Sequence, residues 1–238
     1  PMCLPRGTAR VLGPTYNEHA AALESAGWAV ETVAHLDALV GADLAVVVNP
    51  NNPDGRILER SEVRGLGGQV GHLVIDESFA DPDPGQSLVS EAAGNMLVLR
   101  SFGKFYGLAG LRLGFVLGNV ARLAEVAGPW PVSGAAIAVG QAALSDAGWK
   151  ASTIERLRRD ADRLDQLARR VGWSAVGGTT LFRLYDVHNA AKAQDRLAKR
   201  QVWSRIFPYS ESWMRLGLPG QNDWEQVEAA ILNAGGSD

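Results

Sequence analysis

The sequence predicts an α/β protein: a large domain built on a mainly parallel sheet, followed by a small α+β domain. Three observations carry that reading. Short continuous apolar runs, Leu44 to Val48, Leu73 to Ile75 and Met96 to Leu99, have strand length and no polar face, as strands covered on both sides do. They alternate with stretches of helical or loop composition, the arrangement that builds a parallel sheet. An amphipathic stretch from about Ser152 to Val171 then separates this series from a second set of strand and helix signals.

In chain order, Arg10 to Leu12 is a short strand that breaks at Gly13-Pro14. Asn17 to Ala26 has helical composition and stops at Gly27, and Trp28 to Val33 alternates as a strand. The run Leu44 to Val48 ends in Asn49-Pro50-Asn51-Asn52-Pro53-Asp54-Gly55, which no helix can pass through. Ile57 to Val70 is a weak helix interrupted by Gly65, Gly67 and Gly68, with Gly65 to Gly71 read as loop. Leu73 to Ile75 ends on Asp76-Glu77-Ser78-Phe79, and Met96 to Leu99 and Leu113 to Leu117 complete the first series.

Pro131 to Gly134 opens a helix of small residues through Leu144. In the long helix after it, Ile154, Leu157, Ala161, Leu164, Leu167 and Ala168 form one apolar face. Beyond it, Thr179 to Tyr185 reads as a strand, Ala190 to Arg200 as a helix, Trp213 to Leu218 as a strand and Asp223 to Leu232 as a helix. Asn222 with Glu225 predicts a capping box for that last helix. The expected domains are 1–150, a connecting helix over 151–170, and 171–238.

Composition narrows the function. At 238 residues and 46% hydrophobic, the chain can bury a large core. A net charge of −3 gives no basic footprint for nucleic acid and no polybasic membrane patch. Small metabolites are the better partners. Cys3 is alone, so there is no internal disulfide. No apolar run approaches the roughly 20 residues of a membrane span, and the start has no signal-peptide layout. The cytoplasm is the expected location.

Lys104 stands alone among the first 149 positions of a chain that otherwise uses arginine for positive charge. A lysine inside Arg100-Ser101-Phe102-Gly103-Lys104-Phe105-Tyr106-Gly107 suggests that the amine itself is needed, because lysine can lose its proton and arginine cannot. In open α/β sheets ligands sit beyond the carboxyl ends of the strands. Four segments leave such ends with unusual residues: Pro14-Thr15-Tyr16, Asn51 to Gly55, Asp76-Glu77, and Ser101 to Lys104. Each also has a plain reading. Tyr16 fits a core-edge aromatic, the asparagine-proline stretch a surface turn, Arg215 a surface arginine. Ile75-Asp76-Glu77 looks like a nucleotidase strand end, but the glycine-lysine phosphate loop such a site requires is absent, and no metal site is expected.

With these residues assembled, the chain resembles the fold-type I pyridoxal-phosphate enzymes of the aminotransferase superfamily over essentially its whole length. Within that superfamily it is most similar to the threonine-phosphate decarboxylases of cobalamin biosynthesis. The similar stretches are Gly13 to His19, Lys104 to Phe115, Gly178 to Leu184 and Arg215 to Gly220. The resemblance implies a three-layer α/β/α large domain, pyridoxal 5'-phosphate as cofactor, a small phosphorylated amino acid as substrate and a homodimer.

The resemblance also implies roles. Lys104 would carry the cofactor covalently and move a proton at the reacting carbon. Asp76 would pair with the pyridine nitrogen, Asn52 with the ring 3-oxygen and also with the substrate, Tyr16 would stack on the ring and Phe79 would border the cofactor. Ser101 and Arg112 would hold the cofactor phosphate, and Arg215 would clamp the substrate carboxylate, with Arg183 also near the substrate. The bonds before Pro14 and Pro53 are cis candidates. Phe79 stands where the family's aminotransferases usually have tyrosine, which favours the decarboxylase branch. The family's segment ahead of Arg10, with a glycine-threonine helix start, one sheet strand and an arm to the partner subunit, has no counterpart in this sequence. The expected activity is decarboxylation of L-threonine O-3-phosphate. The alternatives are an aminotransferase of the histidinol-phosphate type and a truncated, catalytically incompetent member.

Overall fold

A computed structural model describes residues 3–235. Its contacts divide the chain into two compact units, one running to Asn52 and then from Arg56 to Asp146, the other formed by Pro53–Gly55 and the chain from Ala147 onward.

The first unit is a six-stranded sheet. Strand β1 (Thr8–Leu12) leads through helix α1 (Glu18–Ser25) to β2 (Ala29–Val33). Next come β3 (Leu44–Val48), α2 (Arg60–Gly67), β4 (His72–Asp76), β5 (Met96–Ser101), β6 (Gly114–Gly118), α3 (Ala121–Ala127) and α4 (Gly134–Ser145). The spatial order is β2-β1-β3-β4-β5-β6. All neighbours pair parallel except β5 with β6, which run antiparallel. The mainly parallel α/β architecture read from the sequence is therefore present.

Every residue of β3 is buried, because alternate side chains feed two cores. Leu44 and Val46 join Leu23 of α1 and Trp28 on one face; Ala45 and Val47 join Val63 and Leu66 of α2 on the other. Each fully buried valine or leucine contributes roughly 1.5–3 kcal/mol, so a five-residue strand without a polar face is stable only between two layers. Helix α2 continues through Gly65 to Gly67, where the sequence suggested interruption. It is anchored at its start by a capping box in which Glu59 and Glu62 serve each other's backbone. Helix α3, which is not among the elements read from the sequence, has Val120 at its N-cap and no side-chain cap.

The second unit begins with α5 (Ala147–Arg170), followed by β7 (Ser174–Thr179), β8 (Phe182–Asp186), α6 (Ala190–Ala198), β9 (Arg205–Phe207), β10 (Ser210–Gly217) and α7 (Trp224–Ala234). Its sheet, in the order β7-β8-β10-β9, is antiparallel throughout. The buried stripe of α5 is the expected one, with Thr153 in place of Ile154 as its first member. It packs with Tyr185, Met214, Leu197 and Ile231 into one core.

Three local expectations are corrected. The single strand over Thr179 to Tyr185 is instead part of a hairpin turning at Thr180-Leu181. Its glycines are needed where they are: a Cβ on Gly178 would meet backbone and on Gly177 would lie 2.1 Å from the Asp54 carbonyl oxygen. The capping box at Asn222 does not form; Asp223 is the N-cap of α7 and makes no side-chain cap bond. The cis bonds precede Pro14 and Pro50, not Pro53, which lies buried within the turn that follows. Among the described residues no helix is long and apolar enough to cross a membrane.

Candidate active site

Because β1, β3, β4 and β5 are parallel, their carboxyl ends lie at one edge of the sheet. There they surround a cavity of about 300 Å³ whose wall includes Tyr16, Asn52, Asp76, Phe79, Ser101, Lys104 and Arg112. The convergence expected of the parallel strands is present in the first unit.

The asparagine-rich loop is not a plain surface turn. Asn49 and Asn51 are 3% and 2% exposed, and both use their amides to satisfy backbone. Asn49 exchanges two hydrogen bonds with Leu58, donating to its carbonyl at 3.1 Å and accepting from its N–H at 3.0 Å. Asn51 reaches the loop after β1. That leaves Asn52, next in the chain, on the cavity wall.

Asp76 is buried at the end of β4. His19 Nε2 lies 2.8 Å from its Oδ2, and Ser78 donates to Oδ1 from its backbone N–H at 2.9 Å and its hydroxyl at 2.5 Å. Burial pushes the Asp76 carboxyl up, but the bonds from His19 and Ser78 outweigh it and hold the group below the usual carboxylate range. The result is an oriented anion at the cavity wall. His19 also meets Tyr16 edge to face, with ring centroids 5.7 Å apart.

Lys104 sits on a loop pinned by aromatic anchors. Phe102 and Phe105 are buried, and Phe102 stacks on Tyr106 at 4.4 Å. The Gly107 N–H donates to the Lys104 carbonyl at 3.0 Å, closing a turn in which Gly107 has a φ of 68°, a value glycine adopts at no steric cost. The exposed Lys104 ammonium lies 5.6 Å from the Phe79 ring centroid. Across the loop, the Ser101 hydroxyl accepts from the Gly103 N–H, and Arg112 takes a left-handed conformation that delivers its guanidinium to the Ala109 carbonyl at 3.1 Å.

The two remaining candidates belong to the second unit. The Arg183 fork is engaged by Asp165, Nε to Oδ1 at 2.9 Å and Nη2 to Oδ2 at 2.7 Å, with the Tyr185 hydroxyl donating to the same carboxylate at 2.7 Å. Arg215 lies over the Phe182 ring at 5.1 Å and beside Arg205 on the paired strand β9. Burial, and secondly Arg205, lower its pKa.

A larger cavity in the first unit, about 740 Å³, is lined by Phe102, Phe115 and Leu117. Its charged groups are already engaged: Arg100 binds Asp81 at 2.5 Å and, behind the wall, Glu77 at 3.0 Å, and Arg60 is paired with Glu91. The smaller cavity, where an amine, an ionised carboxylate, an amide, a hydroxyl and a guanidinium converge, is the chemically equipped one.

Sequence reasoning missed His19 and Ser78 as partners of Asp76. The signals were present: a histidine three residues past Tyr16, at the first turn of α1, and an Asp-x-Ser turn. The donor set fits pyridoxal phosphate. A planar ring with a cationic nitrogen, a hydroxyl and a phosphate finds in Asp76, Asn52 and the Ser101/Arg112 pair groups of matching charge and hydrogen-bonding sense.

The model of the family described as aminotransferase class I and II matches residues 2–231. A threonine-phosphate decarboxylase of Sinorhizobium sp is 43% identical over 87% of this chain and 65% of its own length. One of Pseudomonas aeruginosa is 42% identical over 95% of this chain and 72% of its own. The chain thus spans about two thirds of the length of these relatives. Among solved structures, a histidinol-phosphate aminotransferase from Sinorhizobium meliloti in complex with pyridoxal-5'-phosphate superimposes with a TM-score of 0.84, at 20% identity, covering 97% of this chain and 70% of that one. The fold, the residues at the strand ends and the match along nearly the whole chain lead to one conclusion: this chain belongs to the class I and II aminotransferase family.

Proposed function

We propose that this chain carries the pyridoxal-phosphate-dependent decarboxylation of L-threonine O-3-phosphate to 1-aminopropan-2-yl phosphate and carbon dioxide, a step of cobalamin biosynthesis. The observation that carries the reading is the pairing of Lys104 with an ionised Asp76 around one cavity, in a chain 42–43% identical to threonine-phosphate decarboxylases.

Bound pyridoxal phosphate supplies an electron sink for the pair left on Cα when a bond to it breaks. The chain's own residues do the rest. Asp76, kept anionic by His19 and Ser78, holds a proton on the ring nitrogen. Asn52 would donate to the ring oxygen and Tyr16 would cover a ring face, while Phe79 would leave that oxygen without the second donor a tyrosine brings. Ser101 and Arg112 hold the cofactor phosphate. Lys104 would anchor the cofactor and, once the substrate amine has displaced it, its freed amine would deliver a proton to Cα after the carboxylate has left, so one proton replaces one carbon dioxide. Arg215 binds the substrate carboxylate. Arg183 and Asn52 would also border the substrate, with the Arg183 fork held in place by Asp165.

The same reading makes the protein a cytoplasmic homodimer, its large domain over residues 1–150, a connecting helix over 151–170 and a small domain from 171. The test is product analysis with pyridoxal phosphate, L-threonine O-3-phosphate and 2-oxoglutarate. Amine phosphate with carbon dioxide supports the decarboxylase. Glutamate with an oxo acid replaces it with an aminotransferase, and no turnover points to an incompetent member.

A further inference from the structure

We infer that Asn51 is a positioning residue: its buried amide clamps the loop carrying Tyr16 onto the loop carrying Asn52, so that both are placed around the cavity by one side chain. The inference rests on the pyridoxal phosphate reading above.

The ladder between β1 and β3 ends at the pair Val11 and Val46, before either Tyr16 or Asn52 is reached. Beyond it the two strand extensions are bridged by the Asn51 side chain. Its Nδ2 donates to the Pro14 carbonyl at 3.0 Å, and its Oδ1 accepts from the Thr15 hydroxyl at 2.7 Å. Its own N–H donates to the Arg56 carbonyl at 2.8 Å, which fixes the backbone from which the amide projects. Pro14 and Thr15 immediately precede Tyr16, and Asn51 immediately precedes Asn52. Tyr16 itself is 47% exposed, so packing alone does not hold its ring.

The amide uses its donor and acceptor together, which fixes its orientation and the spacing of the two loops. At 2% exposure water has little access to the amide, so the loss of either bond is not made good by solvent. Aspartate is nearly isosteric but has no donor, and would set an anion against the Pro14 carbonyl. Asparagine is thus required by its two-sided hydrogen bonding.

The test compares wild type, Asn51→Asp, Thr15→Val and Thr15→Ser by pyridoxal phosphate titration, by the absorption maximum of the bound cofactor, and by borohydride trapping with peptide mapping. Wild type should trap the cofactor at Lys104. Asn51→Asp and Thr15→Val should each bind about tenfold more weakly with a displaced absorption maximum, and Thr15→Ser should restore both. Circular dichroism confirms which variants are folded; if Asn51→Asp is not, the Thr15 pair decides. Folded variants with wild-type affinity and absorption overturn the inference, leaving Asn51 as a stabiliser of the turn alone. Absence of trapping at Lys104 in the wild type overturns it earlier by removing the cofactor reading, so the two failures are told apart.

Discussion

Asp76 in the first unit and Asp165 in the second are carboxylates of similar burial, with side chains 11% and 18% exposed, yet they are satisfied in opposite ways. Asp165 is met by the guanidinium fork of Arg183 and by the Tyr185 hydroxyl, which burial and then Asp165 itself push far up from its ordinary pKa. The compensating cation comes from the protein, and the cluster ties α5 to β8. Asp76 is met by a histidine and a serine, groups that orient it and keep it ionised at a cavity wall. A carboxylate locked into a guanidinium fork away from any cavity is a joint; one held anionic by a histidine and a serine at a cavity wall is placed to meet something that enters.

The sharpest way to break this contrast is at Lys104. Replacing it with alanine should abolish the borohydride-trapped adduct and lower decarboxylation by more than about a thousandfold, since anchoring and proton delivery are lost together. Stability should stay within about 0.5 kcal/mol, because the side chain is exposed. Peptide mapping and urea unfolding, read together, check both halves. A variant that unfolds readily would mean that Lys104 is part of the scaffold.

The second unit should respond the other way. Asp165→Asn leaves the Arg183 fork without its anion and should cost about 2–3 kcal/mol in urea unfolding, with cofactor affinity unchanged in the folded protein. An equal loss of affinity would erase the distinction between the joint and the site.

What could be read beforehand divides along similar lines. Strands β3, β4 and β5 were legible because a run without a polar face has few other places to go, and the strand-end residues were legible because a parallel sheet gathers them. The β7–β8 hairpin was not: its turn dipeptide, Gly177-Gly178, lies inside β7 while the chain turns at Thr180-Leu181, and these glycines answer to backbone from Asp54 and Gly55, far away in sequence. Strand β9 has three residues, too few for a period to show. At the site, the identity of Asp76 was evident but its partners were not, since His19 lies 57 residues away in sequence. Asn51 looked like turn composition because sequence does not report that a loop is buried.

His19 sharpens the contrast further. His19→Phe keeps a ring against Tyr16 but removes the bond to Asp76, so the burial that pushes the carboxyl up is opposed by Ser78 alone. Cofactor affinity should fall about tenfold, with His19→Gln recovering part of it. Titration at pH 7 would show this, and unchanged affinity in His19→Phe would mean that Ser78 suffices.

The smallest effect is the acid limb of stability. The Asp76 pKa in the folded protein is below its unfolded value of about 3.9, so the folded state holds the deprotonated form more tightly. Its contribution is therefore fully present above that value and is lost as the pH falls through the lower, folded one. Wild type should then lose stability more steeply below about pH 4 than Asp76→Asn, which has no such proton to take up. Urea midpoints across that range decide it. Parallel acid limbs would mean that the bonds from His19 and Ser78 only offset the burial they oppose, and Asp76 would then be an ordinary buried carboxylate whose place at the cavity owes nothing to being held ionised.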